Sequence, residues 1–270
     1  MQLYVNENLV EVGNDSSLTD LRALYKPTAD LLIVNGYPVA DSHRLAAGDR
    51  VVLISRGEVP TETELETLLV ARHTPGVHAR VKQARVGIAG VGGLGSAIAV
   101  ALTRLGVGEL IVADFDVVEP SNLNRQQYFV DQLGMPKVVA LAENLRRINP
   151  YVSVISHVVR LTRENIPTLF AEVDVMVEAF DAAAQKALLV ESFLSNVPDR
   201  PLVAASGMAG FGPANTIQTR RAGNNLYLVG DEVSAAAPGS GLMAPRVGIA
   251  AHHQANCVLR LLLGEDPLGE

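Results

Sequence analysis

From Arg85 onward, short apolar runs alternate with longer stretches in which apolar residues recur every three or four positions. Val86, Ile88 and Ala89 predict a strand, after which Leu94, Ile98, Leu102 and Leu105 fall on one helical face. Glu109–Asp114 (ELIVAD) predicts a second strand, 136–148 a helix, and 173–179 (VDVMVEA) a buried parallel strand. A helix over 182–193, strands over 201–205 and 216–220, and a long helix over 243–263 complete this region. Such alternation predicts an α/β fold, a mostly parallel Rossmann-like sheet with helices on both faces. From 222 to 242 the chain is rich in Gly, Asn, Ser and Ala, which predicts a mobile crossover loop near the substrate.

The start of the chain has a different rhythm. Leu3 and Val5 alternate with polar neighbours, and Val10 and Val12 follow a turn at 6–8, predicting a β-hairpin. Ser17, with Asp20 three residues on, signals the cap of a short helix bearing Leu18, Leu21 and Tyr25. Leu31–Val34 runs into the turn dipeptide Asn35-Gly36, and Gly48-Asp49 leads into a strand over 51–54. The order ββαββ is that of a small ubiquitin-like β-grasp module. Val59-Pro60-Thr61 marks a boundary, giving domains 1–58 and 59–270. A helix is expected over 61–72 with Leu65, Leu68 and Leu69 inward; Thr74-Pro75-Gly76 breaks it, and a second short helix leads to Arg85.

Composition narrows the class. With 270 residues, 48% of them hydrophobic, the chain can bury a substantial core. A net charge of −7 argues against nucleic acid or an anionic membrane as partner. No apolar run approaches the ~20 residues a membrane span needs, and the start lacks a signal-peptide pattern, so a cytoplasmic location is expected. The single cysteine, Cys257, excludes an internal disulfide framework and any Cys-cluster zinc site, so no zinc is expected. His253 and Cys257 are four apart on the last helix, but two ligands do not make a site, and core packing is expected of Cys257.

The chemistry begins at the turn Gly90, Gly92, Gly93, Gly95. Glycines let a phosphate approach the backbone, and the helix N-terminus beyond offers unpaired N–H groups and positive partial charge. Asp114 lies nineteen residues beyond Gly95, where this fold places a ribose-hydroxyl acceptor. To this point NAD and ATP are equally served. Ser121-Asn122-Leu123-Asn124-Arg125-Gln126 and Gly134-Met135-Pro136-Lys137 separate them. An enzyme that cleaves a triphosphate needs such cations to neutralise charge as it redistributes. Arg125 suits a planar clamp on phosphate oxygens, and Lys137, at a helix start with Pro136 in the first turn, a point charge.

Together GVGGLG, DFDVVEPSNLNRQ and GMPK resemble the ThiF/MoeB/HesA family, whose adenylation fold is shared with ubiquitin-activating enzymes. The likeness covers roughly 72–263, and the segments from 206 and from 239 look most like short ThiF-like proteins. IVNGYPV and LAAGDRVVLISRG resemble the ThiS and MoaD sulfur carriers, which end in a free Gly-Gly. Here Arg56-Gly57 continues into Glu58, so the module offers no terminal carboxylate there; a docking role and a stabilising one both stay open.

The resemblance implies an ATP-dependent adenylyltransferase acting on the C-terminal glycine of a separate ThiS-like carrier, in a homodimer. It implies nucleotide contacts from Gly90, Gly92, Gly93, Leu94, Gly95 and Asp116, with Asp114 at the ribose. Asn122, Arg125 and Lys137 would stabilise the transferring α-phosphate, and Gln126 would also contact the nucleotide. Asp181 would hold Mg²⁺; the residues alone equally allow it to cap the following helix. The family's shared arginine maps to Arg72, with Arg80 the other candidate; an ion pair along the helix would also account for Arg72. Activation of a MoaD-type carrier, a tRNA threonylcarbamoyladenosine dehydratase-like activity, a NAD-dependent oxidoreductase and a non-catalytic nucleotide-binding adaptor stay open as rivals. The family's two Cys-x-x-Cys pairs are missing, and 222–242 holds no cysteine, which puts direct handling of sulfur in doubt.

Overall fold

A computed structural model describes every residue except Thr74 and Glu270. The chain forms two compact units, Met1–His78 and Ala79–Glu270.

In the smaller unit, strands β1 (Gln2–Val5) and β2 (Asn8–Glu11) pair antiparallel around Asn6 and Glu7, both at positive φ. Helix α1 (Leu18–Tyr25) opens with a reciprocal capping box. Ser17 Oγ accepts from the Asp20 amide at 3.1 Å, and the Ser17 amide donates to the Asp20 carboxylate at 2.9 Å. Strands β3 (Leu31–Val34), β4 (Tyr37–Pro38) and β5 (Arg50–Ile54) complete a sheet of order β2-β1-β5-β3-β4. Leu3, Val5, Leu18, Leu21, Leu32, Val34, Val51 and Leu53 form its core, whereas Tyr25 lies exposed at the end of α1.

Beyond Arg56-Gly57 the chain turns back onto its own module. The Arg56 amide donates to Asp30 at 3.1 Å, and Lys26 reaches Glu64 at 2.8 Å and Glu58 at 3.9 Å. Glu64 lies in helix α2 (Glu62–His73), which these bonds group with the smaller unit rather than the larger. The smaller compact unit thus extends past the 58/59 boundary of the sequence modules, as far as His78. The inward face expected of α2 is not a core: Leu65 and Leu69 are half-buried and Leu68 is exposed. Three leucines interleaved with Glu64 and Glu66 make too narrow an apolar stripe. Of the break expected at 74–76, Thr74 lies outside the described residues; helix α3 (Pro75–Gln83) follows it.

The larger unit holds a seven-stranded sheet of order β11-β12-β10-β9-β6-β7-β8. Its strands are β6 (Arg85–Ala89), β7 (Glu109–Asp114), β8 (Ser153–Val158), β9 (Val175–Glu178), β10 (Leu202–Ala205), β11 (Gln218–Arg221) and β12 (Leu226–Gly230). Every neighbour pair is parallel except β11 with β12. Helices α4 (Gly93–Leu105), α5 (Lys137–Ile148), α6 (Ile166–Leu169), α7 (Ala183–Asn196) and α8 (Ala244–Leu262) accompany the sheet, and α4 packs on α8. Val86, Ile88, Leu110, Val112, Val175, Val177 and Val203 are buried along the central strands, as two-sided packing requires.

Strand β12 corrects the loop expected over 222–242. Leu226–Val229 pairs residue by residue with Leu202–Ala205, so the sheet captures an apolar run hidden among Gly and Asn. Chain order reverses between β6 and β9, which leaves a crevice at the carboxyl ends of the strands.

Candidate active site

That crevice, of about 530 Å³, is lined by residues that follow β6, β7, β9, β10 and β12. On the β6 side the chain approaches itself very closely. Gly90 adopts φ +84°, and a Cβ there would sit 3.0 Å from both the Ala179 carbonyl and the Phe180 ring. At Gly95 a Cβ would fall 1.9 Å from the Gly90 carbonyl, so α4 starts in contact with the end of β6. Gly95 therefore serves this approach and does not line the crevice; Gly90, Gly92, Gly93 and Leu94 do. The N-cap of α4 is Gly92, with no side-chain cap, so no side chain competes with an anion for the first amides.

The Val91 peptide is gripped from both ends. Its N–H donates to Asp114 at 2.8 Å, and its carbonyl accepts the buried Tyr128 hydroxyl at 2.7 Å. Burial, with Asp114 nearby, pushes the Tyr128 phenol well above its usual range, which keeps it a donor. Tyr128→Phe should destabilise the larger unit by about 1–3 kcal/mol, because a buried carbonyl loses its donor. Urea unfolding of the two proteins checks this; equal midpoints would contradict it.

Asp114 spends both carboxylate oxygens on amides, Val91 and, at 2.9 Å, Asp116. It shapes the turn as well as lining the crevice. Asp116 pairs with the Lys137 ammonium at 3.0 Å, and Lys137 opens α5 behind Pro136, which is the N-cap rather than a first-turn residue. Arg125 lines the crevice, its guanidinium donating to the Ser121 carbonyl at 3.2 Å and Asn124 Oδ1 at 2.7 Å. Gln126 Oε1 is buried there without a hydrogen-bond partner among the described residues. Asn122 stands apart: its Oδ1 accepts the Glu119 amide at 3.1 Å, capping a short 3₁₀ turn, and it does not line the crevice.

Across the crevice lies Asp181, exposed and without a hydrogen bond among the described residues. The N-cap of α7 is Ala182, with no side-chain bond, so the capping role open to Asp181 in the sequence is not realised. Fully buried Glu178 closes β9 and holds Lys186 at 3.0 Å, a pair whose importance went unread in the sequence. Its signal was a carboxylate ending an otherwise apolar strand. Burial pushes the Glu178 carboxyl up, and Lys186 opposes it.

Loop residues 232–236 form the remaining wall. They are latched by Asp231, which pairs with buried Arg246 and accepts the Ser234 amide at 2.8 Å and the Val233 amide at 3.0 Å. Burial raises the Asp231 pKa, but its bonds to Ser234, Val233 and Arg246 outweigh burial and hold it at about 2. A lowered folded-state pKa stabilises above the ordinary carboxylate value and loses that contribution as pH falls through the folded one. The stability gap between wild type and Asp231→Asn should be about 2 kcal/mol at neutral pH and narrow from about pH 4 towards pH 2. Denaturation series across that window test this; a constant gap would refute it.

Arg72 is exposed on α2, in the smaller unit. Arg80 donates to the Leu263 carbonyl. Cys257 is buried in α8 and burial pushes its thiol up to about 12, as a core residue requires; His253 meets Thr219 at 3.3 Å. No group of three or more His, Cys, Asp or Glu is arranged to hold a metal among the described residues. No helix among them is long and apolar enough to cross a membrane.

Residues 67–269 match the ThiF family. The chain belongs to the ThiF family. Residues 1–57 match the ThiS-like ubiquitin family, so a carrier-like module precedes the ThiF domain. The enzyme class is that of the ATP-dependent adenylyltransferases. Among curated relatives, the molybdopterin-synthase adenylyltransferase of Escherichia coli K12 is 33% identical, over 68% of this chain and 75% of its own length. The sulfur carrier protein ThiS adenylyltransferase of Bacillus subtilis strain 168 is 32% identical, over 71% of this chain and 58% of its own. The E. coli tRNA N6-threonylcarbamoyladenosine dehydratase, solved with AMP, superposes with a TM-score of 0.68 at 20% identity. That match covers 77% of this chain and 98% of the dehydratase, and shows the shared fold.

Proposed function

We propose that this ThiF-family chain uses MgATP to adenylate the C-terminal glycine of a separate ThiS-like sulfur carrier, in the cytoplasm, for thiamine thiazole formation. A carrier carboxylate oxygen attacks the α-phosphorus, the α–β phosphoanhydride bond breaks, and pyrophosphate leaves. The amides at Gly92–Leu94 cradle phosphate, Asp114 serves the ribose with Asp116 beside it, and Gln126 Oε1 accepts from the nucleotide. Arg125 and Lys137 take up charge at the α-phosphate, while Asn122 holds the turn that presents Arg125.

The observation that carries the reading is the charge balance of the crevice. Three cations (Arg125, Lys137, Arg160) meet four carboxylates (Asp114, Asp116, Asp181, Glu232) along its wall, the charge of Lys186 being matched by buried Glu178. A triphosphate brings about four further negative charges, so positive charge must arrive with the substrate or from another chain. Asp181, unengaged, suits a Mg²⁺ whose other ligands are phosphate oxygens and water, the usual way that ion is held. When bound, Mg²⁺ would supply neutralisation of those oxygens. A second copy supplying Arg72 or Arg80 in a homodimer would complete the balance.

A MoaD-type carrier is the second reading, favoured by the 33% identity to the E. coli molybdopterin-synthase enzyme. The N-terminal ThiS-like module favours ThiS chemistry over it. Carrier-stimulated exchange of labelled pyrophosphate into ATP decides, with Gly-Gly-ended ThiS-like and MoaD-like proteins run side by side. Exchange with neither, despite ATP binding, would point to the adaptor or to dehydratase-like chemistry on a tRNA carboxylate.

A further inference from the structure

Lys186 lines the crevice, yet it has no proton to offer a substrate. Its ammonium donates to Glu178 Oε1 at 3.0 Å, Glu178 Oε2 at 3.1 Å and the Ala205 carbonyl at 3.0 Å, which uses all three N–H bonds. Glu178, 0% exposed, also accepts the Phe180 amide at 2.7 Å and the Ala205 amide at 3.3 Å. Five bonds thus tie together the ends of β9 and β10 and the start of α7.

Between the two anchors runs the turn Ala179-Phe180-Asp181-Ala182. Phe180 is seated against Gly90, whose hypothetical Cβ would lie 3.0 Å from its ring. Asp181 is the one polar side chain of the turn, and it is left unbonded at the crevice. A buried ion pair adds little net stability over an apolar pair of the same size, so its effect falls on where the turn is held.

We infer that the Glu178–Lys186 pair is a positioning device for Asp181, setting the place at which that carboxylate meets a metal–nucleotide complex. The inference rests on the Mg²⁺ role proposed for Asp181 above.

Mn²⁺ binding to the full-length protein in the presence of α,β-methylene-ATP, followed by electron paramagnetic resonance, tests it without turnover. Lys186→Met should weaken Mn²⁺ binding by about 10-fold or more, the usual consequence of losing a group that orients a metal ligand. Metal-free nucleotide affinity should change less than about 2-fold, since the cradle at Gly92–Leu94 is untouched. Lys186→Arg should recover part of the loss. Combining Lys186→Met with Asp181→Asn should cost no more than Asp181→Asn alone, because the lysine acts through the aspartate. Wild-type Mn²⁺ affinity in a folded Lys186→Met protein, or additive losses in the double variant, would overturn the inference. Should Lys186→Met fail to fold, Glu178→Gln keeps shape and volume and carries the same expectation. Absence of nucleotide-dependent Mn²⁺ binding in the wild type would instead overturn the metal reading on which this rests.

Discussion

Arg125→Ala should lower carrier-dependent pyrophosphate exchange by about 10²–10³-fold, the usual loss when one preorganised transition-state donor is removed. The side chain is well placed for that role. Its aliphatic part packs by Gly93, where a Cβ would lie 3.4 Å from Arg125 Cγ, which brings the guanidinium beside the phosphate cradle. It is steadied by Ser121 and Asn124, not by a carboxylate, so its charge is uncommitted. Asn124 is in turn fixed to the Leu242 carbonyl at 3.1 Å. The loss should fall on kcat, with the KM for ATP changed little, if charge develops only in the transition state. Stability should shift by no more than about 0.5 kcal/mol, since the side chain is only partly buried and pairs with no ion. Arg125→Lys should restore little, because a lysine lacks the planar fork. Exchange unchanged in Arg125→Ala would remove Arg125 from the mechanism and with it the sharpest sequence argument for adenylation.

Much of the architecture was legible because local signals agreed with the tertiary outcome. Ser17 and Asp20 cap α1 reciprocally, and the spacing of Leu94, Ile98 and Leu102 marks the buried face of α4. The misses share a cause. Strand β12 lies in a stretch whose composition reads as loop, and becomes a strand only because β10 and β11 offer it partners. Edge strand β8 mixes Ser and His with Val and Ile, and its pairing with β7 is a long-range fact. Helix α2 is tied to the smaller unit by Lys26 binding Glu64, thirty-eight residues away. The site divides the same way. Arg125, Lys137, Asp116 and Asp181 follow from motif and charge type, and the fold brings all four to one crevice. Asn122 and Gly95 carry the right residue types at the right spacing but spend them on a 3₁₀ cap and a backbone contact. Glu178 shows its importance only once Lys186 and Ala205 are seen around it.

Gly95→Ala should be a severely damaging single-methyl change at the heart of the phosphate cradle. The added carbon would sit 1.9 Å from the Gly90 carbonyl oxygen and 3.2 Å from Ile88 Cγ2. Neither neighbour has an easy escape. The Gly90 amide is bonded to the Ala113 carbonyl at 2.9 Å, and β6 is paired on both sides, with β7 and β9. Helix α4 cannot simply lift, because Leu94, Ile98 and Leu102 are buried along it and α8 packs against it. Overpacking of side chains costs typically about 1–3 kcal/mol, and a clash between main chain and a rigid Cβ belongs at or above the top of that range. The better helix propensity of alanine returns at most about 1 kcal/mol. Two outcomes are therefore expected together: a thermal midpoint lower by several degrees, and loss of ATP binding, since any relief must move α4 away from the turn it opens. Gly93→Ala serves as the control for the thermal midpoint without ATP. Its Cβ would meet only side chains, Val247 at 3.0 Å and Arg125 at 3.4 Å, which can give way. Circular dichroism melts with and without ATP on the three proteins distinguish these cases. A Gly95→Ala protein that melts with the wild type and keeps its ATP-induced shift would show that the approach of α4 to β6 is not what holds the cradle in place.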